Sequence, residues 1–299
     1  MTNLSVRVAA QAKLNLHLRV LSREESGFHS IETIFHRIDL ADDLNVAITG
    51  GERTLDVDGD NTGPTEKNLA LRAAAAYAGH AGWPTGFRIE LRKRIPVGAG
   101  LGGGSSDAAA VLRALNSLSP QPIPMIGLLQ LAASLGADVP FLASDAVMAI
   151  AWGRGERMLR CAPLPRRDIL LMTPSFGVAT ADAYRWIDED RERTEHSSPA
   201  REATPMVFDA LSLSTWQSIS RFARNDFEPV VAARHPALAG YLERLRNSRA
   251  SFAQMTGSGS TIFGVLDTPP DFSKIPEEHR AQVTTTKTSI DVVQPVRVG

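Results

Sequence analysis

A glycine-rich run in the first half of the chain limits its possible folds more than any other feature. Five of the seven residues from 98 to 104 are glycine, and the run separates an alternating segment, 87–95, from an alanine-rich segment. Glycine inside a regular element costs stability, so such a cluster indicates a backbone that takes positive φ angles or approaches another group closely. The sequence therefore predicts a strand, a tight loop and then a helix.

The segment after the run has the pattern of an amphipathic helix. Its apolar residues recur at helical spacing, at Ala108, Val111, Leu112, Leu115 and Leu118. We expect Ser105 or Ser106 to cap the first turn, and Asp107 suits the positive end of the helix dipole. A strand, a glycine loop and a helix N-terminus in this order are typical of a phosphate-binding site, because bare main-chain amides point at the anion.

The spacing excludes three common phosphate motifs. The dinucleotide motif requires an acidic residue about 20 positions after the glycines, but none lies between Asp107 and Asp138. The P-loop requires a lysine where Ser105 and Ser106 stand, and the H-R-D and D-F-G elements of protein kinases do not occur. A purely structural turn, with glycine used for tight packing of helix on strand, is the alternative.

Other segments have patterns that predict regular elements or connections. Leu14, Leu16 and Leu18 alternate with polar residues that include Lys13 and Asn15, which predicts a half-buried strand over 13–20. The sequence further predicts a helix at 66–82, a helix at 125–136 that Gly136 stops, an interdomain connection at 160–168, a strand from 168, an exposed and mobile charged loop at 188–205, a helix at 237–248, and two short strands joined by Gly257, Ser258 and Gly259. This mixed order favours two α+β domains, 1–163 and 164–299.

Composition narrows the class of protein. The 299 residues are 43% hydrophobic and 22% charged, which is typical of a globular protein with a substantial core. A net charge of -1 gives no reason to expect nucleic acid or an anionic membrane as the main partner. Cys161 is the single cysteine, so an internal disulfide is excluded. With no signal-peptide pattern at the N-terminus and no long apolar run, we expect a cytoplasmic protein.

The glycine run and four other segments resemble the GHMP family of small-molecule kinases. The segment "PVGAGLGGGSSDAA" is similar to the family signature, and the resemblance extends over "AKLNLHL", "GFHSIETIF", "LGADVPFLA" and "MTGSGSTIFG". It covers roughly residues 10 to 265. The resemblance implies a ribosomal-protein-S5-like N-terminal domain, a ferredoxin-like C-terminal domain and an active site in the cleft between them.

The resemblance also implies ATP and Mg²⁺ as cofactors and assigns roles to individual residues. Asp138 matches the family's proton acceptor, and Lys13 matches a cation beside it. Without the resemblance, the position of Asp138 favours a cap of the next short helix, and a lysine on a polar strand face is usually just solvated. The metal ligands stay undefined, although Ser105 or Ser106 could supply an oxygen. The residues matched to ATP binding are Asn68, Pro96, Val97, Gly98, Ala99, Gly100, Leu101, Gly102, Gly103, Gly104, Ser105 and Ser106.

The acceptor implied by the resemblance is a small molecule, the 2-hydroxyl of a cytidine diphosphate-linked methylerythritol. Phe28 and Tyr184 match residues that stack on cytosine, and His29 matches the reader of its edge. Phe28 stands where tyrosine is common, so one hydroxyl is lost. The other residues matched to substrate binding are Asn15, Thr180, Gly257, Ser258 and Gly259. A family kinase that acts on mevalonate, homoserine or a sugar is an alternative, and so is a non-catalytic ligand sensor; the sequence leaves the oligomeric state undefined.

Overall fold

The computed structural model describes residues 4–195, 209–247, 250–267, 280–290, 293 and 296–297. Within these ranges the first sheet has seven strands, built around a long antiparallel pair in the order β11-β1-β2-β4-β3, with β5 on β2 and β6 on β5. The strands are β1 (Leu4–Arg23), β2 (His29–Thr49), β3 (Arg53–Asp58), β4 (Gly86–Arg92), β5 (Met148–Gly153), β6 (Arg157–Cys161) and β11 (Val296–Arg297).

Helices cover one face of this sheet. They are α1 (Leu69–Ala81), α2 (Gly103–Leu118), α3 (Met125–Ala133) and α4 (Val139–Ala143). Both α1 and α2 are rich in buried alanines, and these small side chains let the two helices pack closely on apolar side chains of β2 and β4, such as Val46 and Ile89. Asn68 caps α1 by accepting the Ala70 amide at 2.9 Å, and Gly82 ends the helix in the left-handed region.

The second sheet is antiparallel and has the order β10-β7-β9-β8. Its strands are β7 (Asp168–Thr173), β8 (Ala250–Met255), β9 (Ile262–Leu266) and β10 (Arg280–Thr285), and the helices of this half are α5 (Thr180–Glu195), α6 (Trp216–Ser220), α7 (Phe227–Arg234) and α8 (Pro236–Asn247). The predicted strands that flank the Gly257 turn are confirmed. None of the helices in the described ranges combines the length and the apolar character needed to cross a membrane.

The two sheets meet at strand β1, which explains one wrong prediction. Leu14 and Leu16 pack against Leu171 and Phe263 of the second sheet. The opposite face of β1 is also covered, since Lys13 is only 3% exposed. Period two predicted the strand correctly, but the expectation of a half-buried strand was wrong, because each face packs on a different part of the chain.

Two further expectations were wrong in detail. Helix α2 begins at Gly103 with Gly102 at its N-cap position, so neither Ser105 nor Ser106 caps it. Residues 188–195 belong to helix α5 and not to a loop, because Ala183 and Ile187 anchor that helix in the core while its charged residues pair along the surface. Residues 196–205 of the predicted loop lie outside the described ranges. Strand β11 pairs with β1 in the first sheet, and the division at residue 163 stays a prediction.

Candidate active site

A cavity of about 590 Å³ lies where the two halves of the chain meet. The first half contributes the glycine loop, Lys13 and Asp138, and the second half contributes α5 and the turn between β8 and β9. The sequence-predicted residues on its wall are Lys13, Asn15, Asn68, Pro96, Val97, Gly98, Ala99, Gly100, Leu101, Gly102, Gly103, Gly104, Ser105, Asp138, Thr180, Tyr184, Gly257 and Ser258. The wall does not include Ser106, Phe28, His29 or Gly259.

Lys13 and Asp138 are neighbours at this cavity. Lys13 Nζ lies 3.3 Å from Asp138 Oδ2, donates to Asn15 Oδ1 at 2.7 Å, and donates to the Gly100 carbonyl at 3.0 Å. An ammonium group has three donors, so these contacts use all of them. The Asp138 contact is the longest of the three, and it is therefore the one that an incoming oxygen can share at least cost.

Asn15 forms hydrogen bonds both to Lys13 and to the β8–β9 turn of the second half. Its Oδ1 accepts from Lys13 Nζ and from the Gly257 amide at 2.9 Å, and its Nδ2 donates to Thr33 Oγ1 at 2.8 Å. Because donors and acceptors on both sides are matched, the amide has one orientation. Asn15 thus connects strand β1 of the first sheet to the β8–β9 turn of the second.

The glycine loop lies against the main chain of Thr256 and the side chain of Lys13, with little room for side chains of its own. A Cβ on Gly100, whose φ is +79°, would lie 2.2 Å from the Thr256 carbonyl oxygen. A Cβ on Gly102, whose φ is +73°, would lie 3.0 Å from Lys13 Cε. The loop needs glycine at these two positions both for its left-handed backbone and for its contact with β1 and the β8–β9 turn.

The first turn of α2 leaves its amides open to the cavity. Gly102 at the N-cap has no side chain to bond them, and the first amides of a helix have no partner within the helix. Ser105 lies on the cavity wall, whereas Ser106 is buried and donates to the Gln11 carbonyl at 2.6 Å. Open amides at the positive end of a helix dipole are suited to a phosphate group.

A buried charge cluster that the sequence did not indicate lies under the loop. Lys93 Nζ is 2.5 Å from Asp42 Oδ2 and 2.7 Å from Asp107 Oδ2. Asp42 Oδ1 also accepts the amides of Arg94 and Ile95, at 2.5 and 2.8 Å, so this carboxylate holds the start of the loop. Burial raises the pKa of Asp107 to about 7, against the opposing effect of Lys93, and Asp107 Oδ1 has no partner among the described residues.

The expected cytosine-binding residues are brought near each other, but not as a sandwich of Phe28 and Tyr184. The His29 ring stacks on Tyr184 at 4.6 Å, and His29 Nε2 lies 2.7 Å from Asp188 Oδ1. Phe28 is 57% exposed, and its ring centre lies 4.0 Å from the Arg154 guanidinium carbon. Burial and the nearby Asp138 raise the pKa of Tyr184 to about 12. The sequence did not lead us to expect Asp188 at this site. It follows Tyr184 by four residues, so a helix predicted through this segment would have placed both side chains on one face.

The β8–β9 turn lines the cavity with Gly257 and Ser258. Ser258 Oγ lies 3.0 Å from Thr180 Oγ1, so the turn contacts the start of α5. The Gly259 amide donates to the Thr256 carbonyl at 3.1 Å, which turns it inward. Asn225 also holds this turn, donating to the Gly257 carbonyl at 2.9 Å.

Asp138 and Asn68 occupy N-cap positions in different ways. Asn68 caps α1 with its side chain and also lies on the cavity wall. Asp138 stands at the N-cap of α4 but makes no capping hydrogen bond, so its carboxylate stays with Lys13. Within the described ranges no three His, Cys, Asp or Glu side chains cluster as metal ligands do.

A two-half cleft that combines a glycine loop at a helix N-terminus with a lysine–aspartate pair defines the class of a small-molecule kinase. Two family models match the chain, that of the GHMP kinases N-terminal domain over residues 68–151 and that of the GHMP kinases C-terminal domain over residues 207–284. The chain belongs to the GHMP kinase family. It has the two-domain fold of that family, and membership implies that it uses ATP.

Similar proteins point to one branch of the family. The chain is 40% identical over 270 residues to the 4-diphosphocytidyl-2-C-methyl-D-erythritol kinase of Solibacter usitatus, covering 89% of this chain and 82% of that protein. It is 37% identical over 261 residues to the kinase of the same name from Pelotomaculum thermopropionicum, with coverage of 87% and 88%. A crystal structure of 4-(cytidine 5'-diphospho)-2C-methyl-D-erythritol kinase matches with a TM-score of 0.72 and 34% identity, covering 94% of this chain and 98% of that one. Homoserine kinase from Cytophaga hutchinsonii, at 18% identity and a TM-score of 0.67 with coverage of 98% and 97%, shares the fold.

Proposed function

We propose that this chain is the ATP-dependent kinase that phosphorylates the 2-hydroxyl of 4-diphosphocytidyl-2-C-methyl-D-erythritol in non-mevalonate isoprenoid precursor biosynthesis. Support comes from the sequence identity of 37–40% to kinases of that name over most of the chain. The observation that carries the chemistry is the pairing of Lys13 with Asp138, 3.3 Å apart, beside the open amides of α2. We further propose a cytoplasmic location, where nucleotides are available.

The glycine loop suits the triphosphate of ATP. The absence of side chains at Gly100 and Gly102 leaves main-chain atoms as the lining of the cavity beside Lys13. The wall also includes Ser105 and Asp107, whose side-chain oxygens are of the hard type that Mg²⁺ prefers. When bound, Mg²⁺ neutralises charge on the phosphate oxygens.

Phosphoryl transfer needs positioning and a destination for one proton. In the proposed reaction the substrate oxygen forms a bond to the γ-phosphorus while the bond from that phosphorus to the bridging oxygen of ADP breaks. Asp138 accepts the hydroxyl proton. Lys13 favours the ionised carboxylate and stabilises the charge on the attacking and transferred oxygens.

Recognition of the cytosine base is proposed for Phe28, His29 and Tyr184. A base that stacks between Phe28 and Tyr184 requires His29 to leave the face of Tyr184 that it now covers at 4.6 Å. Thr180, Ser258 and the Gly257 main chain lie where they can contact the diphosphate or the methylerythritol portion.

The test is ADP release from the purified protein offered ATP with 4-diphosphocytidyl-2-C-methyl-D-erythritol, mevalonate or homoserine. We expect turnover with the cytidylated alcohol alone. Asp138→Asn should lower kcat by at least about a hundredfold and leave ATP binding, measured by calorimetry, nearly unchanged. Asp58→Asn is the matched control, because Asp58 is exposed and pairs with Arg92 on the surface. Turnover of mevalonate without turnover of the cytidylated alcohol would overturn the substrate, and wild-type rates for Asp138→Asn would remove it as the base.

A further inference from the structure

Arg37 is a fully buried arginine on β2. Its side chain is 1% exposed, and no carboxylate within the described residues forms an ion pair with it. Burial, with a smaller contribution from the charge of Arg113 and against the opposing charge of Asp145, lowers the pKa of Arg37 to about 9. Removing a charge from water is expensive unless its hydrogen bonds are replaced, so the partners of this guanidinium show what it holds.

Four of those partners are main-chain carbonyls at the end of helix α4 and just after it, and the fifth is Gln11 Oε1, which accepts from Nη1 at 3.4 Å. Nη2 donates to the carbonyls of Phe141, Leu142 and Ser144 at 2.8, 2.9 and 3.1 Å, and Nε donates to the Ala146 carbonyl at 2.8 Å. The last carbonyls of a helix have no partner within the helix and carry the negative end of its dipole. A planar guanidinium can reach several of them at once, which a lysine cannot do in the same geometry.

The other end of α4 carries Asp138. The helix is only five residues long, so fixing its C-terminal carbonyls fixes the residue at its N-cap. The Asp138 carbonyl accepts the Leu142 amide at 3.2 Å, while the Asp138 side chain makes no capping bond of its own. The location of the carboxylate therefore depends on where α4 is held.

Arg37 also stands opposite the other member of the pair. In the antiparallel pairing of β1 with β2, Lys13 is the register partner of Arg37, next to an irregularity between Gln11 and Lys13. One cross-strand pair thus consists of Lys13 on β1 and Arg37 on β2, and the Arg37 guanidinium holds the helix that carries Asp138. Bulges and irregularities of this kind re-aim side chains near active sites.

We propose that Arg37 is a positioning residue for phosphoryl transfer: its guanidinium holds helix α4 so that the Asp138 carboxylate lies against Lys13. The inference rests on the proposed function, since it takes Asp138 and Lys13 as the catalytic pair. It adds a residue that lies outside the cavity wall and contacts neither nucleotide nor alcohol.

The test compares Arg37→Lys and Arg37→Gln with the wild-type chain by steady-state kinetics over pH 5 to 9. Arg37→Lys keeps the charge but loses most of the four carbonyl contacts, and it is the variant expected to fold. We expect kcat to fall about 10- to 100-fold, with KM for ATP within about twofold of the wild-type value. The kcat/KM profile should change on its acidic limb, because the proposed general base has a new environment.

Val46→Ala is the matched control for lost stability alone. Val46 is fully buried in the same strand, nine residues from Arg37, which is on the order of 30 Å along the strand. This variant should lower the melting temperature without moving the pH profile. If the wild-type chain phosphorylates the cytidylated alcohol while folded Arg37→Lys keeps its kcat and pH profile, the positioning role is refuted; if the wild-type chain turns over none of the alcohols, the proposed function is what fails.

Discussion

The variant Asp107→Asn tests the electrostatics beneath the glycine loop. Lys93 is shared by Asp107 and Asp42, and all three side chains are buried. Two ionised carboxylates and one ammonium leave a negative charge uncompensated among side chains that are at most 3% exposed. Burial accordingly raises the pKa of Asp107 to about 7, with Asp42 adding to the effect and Lys93 opposing it.

The sign and size of the effect on stability follow from this pKa. In the unfolded chain an aspartate titrates near pH 3.9, about three units lower. Between pH 4 and pH 7 the folded state therefore binds a proton that the unfolded state has released, so the free energy of unfolding falls as the pH rises through this window. At about 1.4 kcal/mol per unit, the loss above pH 7 is about 4 kcal/mol. Asparagine carries no charge, although an amide N–H without an acceptor costs about 1–2 kcal/mol, which leaves a net gain of about 2–3 kcal/mol.

Urea unfolding followed by tryptophan fluorescence at pH 5.5 and 8.5 measures this difference. Asp107→Asn should be more stable than the wild-type chain at pH 8.5, and the advantage should shrink by about 2 kcal/mol at pH 5.5. Asp43→Asn is the control, because the Asp43 carboxylate is exposed and pairs with Arg94 at the surface. A variant less stable than wild type at pH 8.5 would show that ionised Asp107 stabilises the fold, and the reasoning above would be wrong.

Two other predictions concern the cavity wall. Gly100→Ala should lower kcat/KM for ATP at least about tenfold, because its Cβ would lie 2.2 Å from the Thr256 carbonyl oxygen at a φ of +79°. The control is Gly79→Ala in α1, which has open space around its Cβ and should keep wild-type kinetics. Equal kinetics for the two variants would contradict the close approach of the loop to Thr256. Asp188→Asn should raise KM for the cytidylated alcohol by about three- to tenfold, because His29 loses its charged partner, and it should leave KM for ATP unchanged. Glu189→Gln, a surface change on the same helix, is the control. An unchanged KM for the alcohol in Asp188→Asn would remove His29 from substrate binding.

Local patterns in the sequence predicted most elements near the loop, and their failures have physical causes. The alternation around Leu14 fixed a strand and the sides to which its residues point, but it contains no information about what covers each side. The segment from Asp188 was expected to be a loop because it is charged. It is helical because Arg185 pairs with Asp182 and Glu189 along the surface while Ile187 enters the core, and the second of these depends on contacts distant in sequence.

For the site, the glycine run alone predicted a phosphate-binding loop, whereas the roles of Lys13 and Asp138 required the family resemblance. Neither residue is distinctive by itself, because a strand lysine and an aspartate before a short helix are common. Arg37 had no signal at all. Its segment, "FHRIDLADD", is typical of an exposed charged side chain. Only in the folded chain do the carbonyls of residues 141–146 lie next to Arg37.

The charge balance of the cavity explains why the main chain must bind the phosphates. Lys13 is offset by Asp138, and Lys93 is more than offset by Asp42 and Asp107. Among the described wall residues this leaves Lys67 at the exposed rim and Arg154, which pairs with Glu24. A triphosphate brought here therefore meets few uncompensated side-chain cations, so its charge must be balanced by the amides of the glycine loop and the first turn of α2, and by a divalent cation that arrives with the nucleotide. Side chains on the loop would separate the phosphates from those amides, which is the physical reason that so much glycine precedes a helix.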